Sequence, residues 1–265
     1  MEKFSGLTLF SIATSNYLNY WSDLVDSCLA NLDTAENIQW LLLTDRVDQI
    51  PPHIRLALGE NLVVRRIEHS EWPYPTLLRY EYLLDSAEDI TGSGVVYIDA
   101  DMLVASRDFL PELFLLLKEN DLVLVPHPGY YREGGFNRIL FYLKHPRLIL
   151  RDLHLEIKQG SLGTWETRRQ SSAYVPRKLR KTYACGGIWF GKKEAIINLC
   201  GQLSQSINDD LKRGIIAKFH DESHLNHFAA YNLPTFATPA FCVDPTYPQL
   251  EKISPIVIAV DKKET

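Results

Sequence analysis

The sequence predicts an α/β fold in which a mostly parallel sheet has helices on its faces. Over the first half of the chain, short apolar runs typical of strands alternate with segments whose apolar residues recur at helical spacing. The apolar run Val95–Ile98 ends in two aspartates, as expected for a strand that stops where such sheets bind ligands. We expect one domain over residues 1–265.

The elements follow from local patterns. Strands are predicted at residues 7–13, 38–43, 61–67, 94–98, 122–125 and 183–190. Helices are predicted at residues 17–32, 76–86, 108–119 and 193–212 and from about residue 221. Residues 130–182 are polar and basic with weak periodicity, and we predict a long, partly mobile excursion from the sheet there.

Composition excludes some classes of function. The net charge is −5 without a long run of like charges, which argues against a nucleic-acid-binding protein. Four widely spaced cysteines indicate reduced thiols in a cytosolic protein. The longest apolar runs are far shorter than the roughly 20 residues of a membrane span, so we expect no transmembrane segment. We predict a cytoplasmic protein, with a peripheral position at the inner membrane as an open alternative.

Asp99 and Asp101 follow the predicted strand at 94–98. Side chains two residues apart in an extended chain point the same way, so both carboxylates can project into one crevice. Oxygen ligands suit a hard cation such as Mg²⁺ or Mn²⁺, which could bridge a substrate diphosphate. The chain has no glycine-rich phosphate loop to take that role. The alternative is that one aspartate caps the next segment and the other is solvated.

A second polar cluster, His220–Asn226, reads H-D-E-S-H-L-N. On a helix, Glu222 and Asn226 would stack at positions i and i+4. The zinc-peptidase motif H-E-x-x-H is not matched, because Asp221 occupies the place of its glutamate. The alternative is an ordinary helix N-terminus, where acidic residues are favoured by the helix dipole.

Together these motifs resemble the family 6 glycosyltransferases, which include the histo-blood-group A and B transferases and α-1,3-galactosyltransferase. Further similar stretches are Pro126–Tyr131, Gln170–Pro176 and Tyr183–Gly191, and their order agrees from about Leu7 to Lys262. The resemblance implies a GT-A fold, with a Rossmann-like mixed sheet flanked by helices. It also implies retaining transfer of galactose or N-acetylgalactosamine from a UDP-sugar to an oligosaccharide or glycolipid acceptor.

The resemblance also implies roles for residues. Asp99 and Asp101 would hold Mn²⁺ (or Mg²⁺) on the UDP diphosphate, and Glu222 would lie beneath the reacting sugar carbon as a nucleophile or charge stabiliser. The remaining donor-binding residues would be Ala13, Tyr17, Arg79, Ala100, Cys185, Gly186, Gly187, Asp221 and Lys262. The acceptor-binding residues would be His127, Phe219 and Asp244.

Several departures qualify the expected specificity. Gly187 would leave room for an acetamido group, which favours N-acetylgalactosamine, whereas Cys185 replaces a larger apolar residue of the family. Phe219 stands where the family has Trp.

The stem and membrane anchor of animal members are missing, and the chain ends at Thr265, so we expect a minimal catalytic domain of the bacterial or phage type. A transferase with another UDP-hexose donor, a nucleotide-sugar-binding protein without transfer activity and a glycosidase are the alternatives.

Overall fold

The computed structural model describes residues 6–32 and 38–260. The strands are β1 (Leu7–Ile12), β2 (Ile38–Thr44), β3 (Leu62–Arg66), β4 (Gly94–Ile98), β5 (Met102–Val104), β6 (Leu122–Pro126), β7 (Ala184–Lys192), β8 (Thr235–Phe236) and β9 (Val257–Ala259). The α-helices are α1 (Tyr17–Asn31), α2 (Pro52–Leu58), α3 (Tyr74–Leu77), α4 (Arg79–Asp85), α5 (Phe109–Glu119), α6 (Gly135–Lys144), α7 (Pro146–Gln159), α8 (Lys193–Lys212) and α9 (His220–Asn232). The predicted alternation of strands and helices is confirmed.

Seven of these strands form one mixed sheet in the order β3-β2-β1-β4-β7-β6-β8. The half that contains β3, β2, β1 and β4 is parallel. Strand β7 is antiparallel to both β4 and β6, and β6 is parallel to β8. This confirms the predicted α/β class and agrees with a GT-A type of fold. A separate antiparallel pair, β5 with β9, brings the C-terminal part of the described chain back to the residues that follow β4.

The sheet is buried on both faces because helices cover both. Consecutive residues of one strand enter different apolar clusters: Val96 belongs to the cluster that contains α1 and α5, and Val95 to the cluster that contains α4 and α8. Leu42 and Leu41 divide in the same way. Strands of this kind are apolar throughout instead of alternating with polar residues, which is why their runs are visible in the sequence.

Some predicted elements differ from the structure. The predicted helix at 76–86 is divided into α3 and α4, which meet at Leu78. Helix α2 and the strands β5, β8 and β9 were not predicted. The three strands have at most three residues each, so they are too short to show a period, and their positions depend on pairing with distant segments.

The apolar periodicity of residues 130–182 is weak in the sequence, yet the segment contains the helices α6 and α7. That it forms a partly mobile excursion stays a prediction. Its later part joins the body of the protein through a third apolar cluster of Trp165, Val175, Tyr183 and Ala230. Within residues 6–32 and 38–260, no helix combines the length and the apolar character that crossing a bilayer requires. The cellular location stays a prediction.

Candidate active site

The two predicted aspartates lie at the carboxyl end of β4. The Asp99 N–H donates to the Gly187 carbonyl at 2.8 Å, which extends the pairing of β4 with β7 by one residue. The Tyr97 hydroxyl donates to Asp99 Oδ1 at 2.5 Å. The Val260 N–H donates to the Asp101 carbonyl at 2.9 Å. The end of β4 is therefore held from β7 on one side and from the segment after β9 on the other.

Arg79 is a buried cation at the centre of the site, with only 5% of its surface exposed. Its Nη1 lies 3.4 Å from Asp99 Oδ1 and its Nε lies 3.3 Å from Asp221 Oδ2. Nη1 also donates to the Gly186 carbonyl at 2.8 Å, and the guanidinium lies 4.8 Å from the centre of the Tyr97 ring. One side chain from α4 thus joins the end of β4, the start of β7 and the first turn of α9.

Helix α9 begins with the predicted His-Asp-Glu cluster. Its first residue, His220, has a φ of 43°, in the left-handed region that few residues other than glycine adopt. The turn directs Asp221 and Glu222 towards the sheet, and negative charges in a first helical turn are stabilised by the helix dipole. Glu222 Oε2 accepts a hydrogen bond from the Gly186 N–H at 3.0 Å, and the Tyr183 hydroxyl lies close enough to stabilise the charge of this carboxylate.

Asn226 locks α9 onto β7. Its carboxamide accepts a hydrogen bond from the Ala184 N–H at 2.7 Å and donates to the Ala184 carbonyl at 3.0 Å. The same Nδ2 donates to the Glu222 carbonyl one turn earlier at 2.9 Å. Both backbone groups of one strand residue are paired with a buried side chain, so the carboxamide in the H-D-E-S-H-L-N motif positions the carboxylate that precedes it.

Two adjacent glycines of β7 allow the carboxylates to approach the strand. A Cβ on Gly186 would lie 3.5 Å from Glu222 Oε2, within ordinary contact distance. A Cβ on Gly187 would lie 2.9 Å from Asp99 Oδ2 and 2.5 Å from Met102 Cε, which is closer than atoms normally pack. Because consecutive strand residues face opposite ways, β7 has Glu222 on one face and Asp99 on the other.

Burial dominates the proton affinity of these acids. It raises the pKa of Glu222 to about 7, although the Gly186 N–H and the Tyr183 hydroxyl oppose the increase by stabilising the carboxylate. Burial likewise raises the pKa of Asp99 and of Asp221 to about 6, against the lowering effect of the Arg79 charge. The neighbouring charge of Asp101 raises the pKa of Asp99 further, and that of Glu222 raises the pKa of Asp221 further. One buried cation therefore faces an excess of carboxylates.

The acidic pair fits a hard divalent cation. Asp101 is close enough to raise the pKa of Asp99, so the two carboxylates repel each other, and both supply oxygen ligands. In the part of the chain that the structure describes, no three His, Cys, Asp or Glu side chains form a set that could hold a metal ion. A pair of carboxylates suits an ion that completes its coordination with substrate phosphates and water, as Mg²⁺ does in many phosphate-binding enzymes.

Two of the three predicted acceptor residues lie together beyond β6. Burial lowers the pKa of His127 to about 4, and the nearby charge of Asp244 opposes this. His127 Nδ1 accepts a hydrogen bond from the Gly129 N–H at 3.0 Å, so the hydrogen of the neutral ring is on Nε2. The ring packs against Tyr130 and Tyr183, and Tyr183 also contacts Glu222. This histidine is therefore joined to the catalytic candidate through one tyrosine.

The other predicted residues are less closely connected. Ala13 and Ala100 are buried in the apolar core, and Tyr17 and Phe219 are exposed at the starts of α1 and α9. Cys185 is buried with its Sγ 3.5 Å from Sγ of Cys242. Lys262 lies outside the described residues.

Sequence reasoning missed three residues that position the carboxylates: Tyr97, Tyr183 and Asn226. Tyr97 was recognisable, since it lies two residues before Asp99 on the same strand and therefore points the same way. Asn226 was placed on the face of Glu222, but its pairing with a strand was not foreseen. Nothing near Tyr183 in the sequence indicates a contact with a helix that begins 37 residues later.

Comparison with known proteins gives a consistent picture. A family model described as glycosyltransferase family 6 matches residues 154–265. The chain is 28% identical over 233 residues to the O-antigen biosynthesis glycosyltransferase WbnI of Escherichia coli. It is 27% identical over 237 residues to histo-blood group ABO system transferase 1 of Rattus norvegicus. It is 23% identical over 251 residues to human globoside alpha-1,3-N-acetylgalactosaminyltransferase 1.

These alignments cover most of the chain but different shares of the relatives. They include 86%, 87% and 92% of this chain, respectively. They include 83% of the bacterial relative, but only 58% of the rat and 62% of the human relative. The chain thus spans less than two thirds of the length of these mammalian relatives.

Replacing Arg79 with Met should destabilise the protein strongly. The change leaves the buried Asp221 and the half-buried Asp99 without their shared cation, and loss of one partner of a buried ion pair typically costs about 3–5 kcal/mol. Urea unfolding measures the free energy of unfolding. Arg66→Met is the matched control, because its ion pair with Asp48 is exposed and should contribute less than about 1 kcal/mol. Equal effects of the two substitutions would contradict a central role for Arg79.

Glu222→Gln should alter how stability depends on pH. Because the folded-state pKa of Glu222 is raised from 4.5 to about 7, its contribution to stability is present below pH 4.5 and is lost as the pH rises through about 7. The variant lacks this loss, so its unfolding free energy relative to the unmodified protein should increase by on the order of 3 kcal/mol across that window. Urea unfolding at a series of pH values measures the difference.

The same substitution at exposed Glu60 controls for the change in charge. A constant difference between Glu222→Gln and the unmodified protein from acid to neutral pH would show that Glu222 is not held in a desolvated environment.

Proposed function

We propose that the chain is a retaining α-1,3-glycosyltransferase of family 6, which uses a nucleotide-sugar donor and a glycan acceptor. The proposed donor is UDP-N-acetylgalactosamine or UDP-galactose. The proposed acceptor is a galactose-containing, in some cases fucosylated, oligosaccharide or glycolipid. The names of the mammalian relatives, which include an α-1,3-N-acetylgalactosaminyltransferase, support this linkage.

One observation carries the proposal: Asp99, Asp221 and Glu222 converge on Arg79 and on the two glycines of β7. The convergence joins a strand end and a helix start that are 122 residues apart in the chain. A protein that only binds a sugar nucleotide does not need a desolvated carboxylate beside the same glycines. A transferase does, because charge develops at the sugar carbon during transfer.

We propose that Asp99 and Asp101 hold Mn²⁺ or Mg²⁺, which would neutralise charge on the departing diphosphate. The chain's own contribution is to keep the two carboxylates at the strand end. Arg79 approaches Asp99 only through Oδ1, the oxygen that also accepts the Tyr97 hydroxyl. Asp99 Oδ2 faces the Gly187 Cα instead.

Glu222 is the proposed catalytic residue. When the bond from the sugar carbon to the diphosphate breaks, positive charge develops on that carbon, and a carboxylate stabilises it. If Glu222 attacks the carbon, a covalent glycosyl intermediate forms, and the acceptor oxygen then displaces Glu222 with overall retention. If Glu222 only stabilises the charge, the acceptor hydroxyl attacks the sugar carbon from the face that the diphosphate leaves. The proton of the acceptor hydroxyl is then transferred to the departing diphosphate.

The donor preference rests on Gly187. A residue without a side chain favours the larger N-acetylgalactosamine at this position. The Gly187 Cα faces Met102 Cε and Asp99 Oδ2, so a flexible methionine forms part of the wall around it. Unbranched methionine side chains adapt readily to the shape of a ligand, which supports accommodation of an acetamido group.

The function can be tested by incubating the purified protein with a panel of UDP-sugars and with lactose or 2′-fucosyllactose, with products identified by mass spectrometry and NMR. The expected product carries one additional N-acetylhexosamine or hexose in α-1,3 linkage. Binding of a UDP-sugar without any product would indicate a nucleotide-sugar-binding protein instead. Transfer from another UDP-hexose alone would retain the reaction class and exclude the proposed donors.

Asp101→Asn should lower transfer at least about 100-fold and weaken its dependence on Mn²⁺, because one of two anionic ligands is lost. Initial rates at a series of Mn²⁺ concentrations measure both effects. Asp108→Asn, at an aspartate beyond β5, is the control for loss of one negative charge. Full transfer by Asp101→Asn in the presence of EDTA would contradict the metal assignment.

Glu222→Gln should lower transfer about 100-fold to 10,000-fold while the amide preserves the size of the side chain. Glu222→Ala with added azide distinguishes the two routes, because azide can replace a nucleophilic carboxylate and yields a glycosyl azide that mass spectrometry detects. Loss of transfer without an azide product would favour charge stabilisation. Unchanged transfer by Glu222→Gln would remove Glu222 from the reaction.

A further inference from the structure

The helices α6 and α7 expose the residues that a helix normally buries. In α6, Phe136, Ile139, Leu140 and Leu143 recur at positions i, i+3, i+4 and i+7, and each is exposed. In α7, the exposed apolar residues are Ile149, Leu150, Leu153 and Ile157. Leu143 and Leu150 have 74% and 72% of their surface exposed. This spacing forms one apolar stripe on each helix, and a stripe of this kind is ordinarily packed against another surface.

The opposite side of the helix pair is polar and tightly bonded. Asp152 is 1% exposed and accepts hydrogen bonds from Arg132 Nε at 2.7 Å and from the Tyr142 hydroxyl at 2.9 Å. Arg138 pairs with Glu156 across the two helices at 2.6 Å. Breaking a buried ion pair to turn the helices over would be strongly unfavourable. The polar face is therefore fixed inwards and the apolar stripes are fixed outwards.

Charge is divided unevenly between this region and the rest of the chain. Residues 130–182 contain 12 Lys and Arg against 4 Asp and Glu, which gives a formal charge of +8. Because the net charge of the whole chain is −5, the remaining residues together carry −13. Arg147 and Lys158 occupy positions i and i+11 of α7, which places them on one flank of the helix, beside its apolar stripe. Lys144, Arg147 and Lys158 are exposed. An apolar face bordered by basic residues is characteristic of helices that lie in the interface of anionic membranes.

We propose that α6 and α7 dock on the surface of a lipid bilayer that contains anionic lipids. The apolar stripes would enter the boundary between headgroups and acyl chains, and the basic edge would contact the headgroups. A second copy of this chain is a less suitable occupant, because pairing the same face of two copies brings two strongly positive segments together.

The helix pair is also connected to the proposed acceptor side. Arg151 Nη2 donates to the Gly129 carbonyl at 2.7 Å, and its guanidinium lies 5.9 Å from the centre of the Tyr130 ring. Gly129 and Tyr130 follow His127 closely in the chain, and His127 Nδ1 accepts a hydrogen bond from the Gly129 N–H. If the proposed function holds, docking would therefore bring the acceptor side near the bilayer, which favours acceptor glycans that are carried on lipids.

Vesicle flotation tests the docking without any sugar nucleotide, so failure here is separate from failure of the proposed transfer. The probes are vesicles of phosphatidylcholine with about 30 mol% phosphatidylglycerol, and vesicles of phosphatidylcholine alone. The protein should bind the anionic vesicles, and binding should decrease at high salt. Leu143→Gln combined with Leu150→Gln should reduce the bound fraction at least about tenfold. Leu56→Gln, at a leucine of α2 that is 86% exposed, is the matched control and should bind normally.

Arg147→Gln combined with Lys158→Gln provides a second test that leaves the apolar stripes intact, and it should also weaken binding to anionic vesicles. Circular dichroism and urea unfolding confirm that each variant folds. Absence of binding to anionic vesicles, or equal binding by all variants, would overturn the proposal. A lipid-free dimer that Leu143→Gln with Leu150→Gln converts to a monomer would also overturn it and would assign the face to self-association.

Discussion

The arrangement of the site depends on one buried guanidinium. Arg79 contacts carboxylates from β4 and α9 and a carbonyl of β7, three segments that the chain brings together from distant positions. A buried charge is tolerated only with paired partners, so each contact makes the others necessary. Lysine could not replace this planar group, since it cannot contact a carbonyl and two carboxylates with the same geometry. The position of Glu222 therefore depends on Arg79, because Arg79 pairs with Asp221, the residue that precedes Glu222 in α9.

The same arrangement leaves the site short of positive charge. Burial favours protonation of Asp99, Asp221 and Glu222, and Arg79 compensates this only in part. A site with this imbalance favours ligands that bring positive charge or develop it during reaction. A divalent cation on a diphosphate and a sugar carbon that becomes positive both meet this description. The excess of carboxylates over cations in the site thus matches the positive charge that the proposed reaction would bring or develop there.

Much of this architecture could be predicted from the sequence, because the buried strands are apolar throughout. β4 and α8 begin and end where their patterns predict. The position of the aspartates beyond β4 was predictable, because strand direction determines where they project. Arg79 and the acceptor residues came only from family resemblance, and Tyr183 was missed, because contacts between distant segments leave no local pattern. The helices of residues 130–182 were missed because basic residues surround their apolar stripes.

Strand β7 has a consequence for how specificity can evolve. Its neighbouring glycines face Glu222 on one side and Asp99 with Met102 on the other, so both sides of the backbone are occupied. A methyl group added at Gly187 would displace Met102 or Asp99. A larger residue at position 187 therefore needs a compensating change at Met102, the flexible neighbour whose shortening would open the required space.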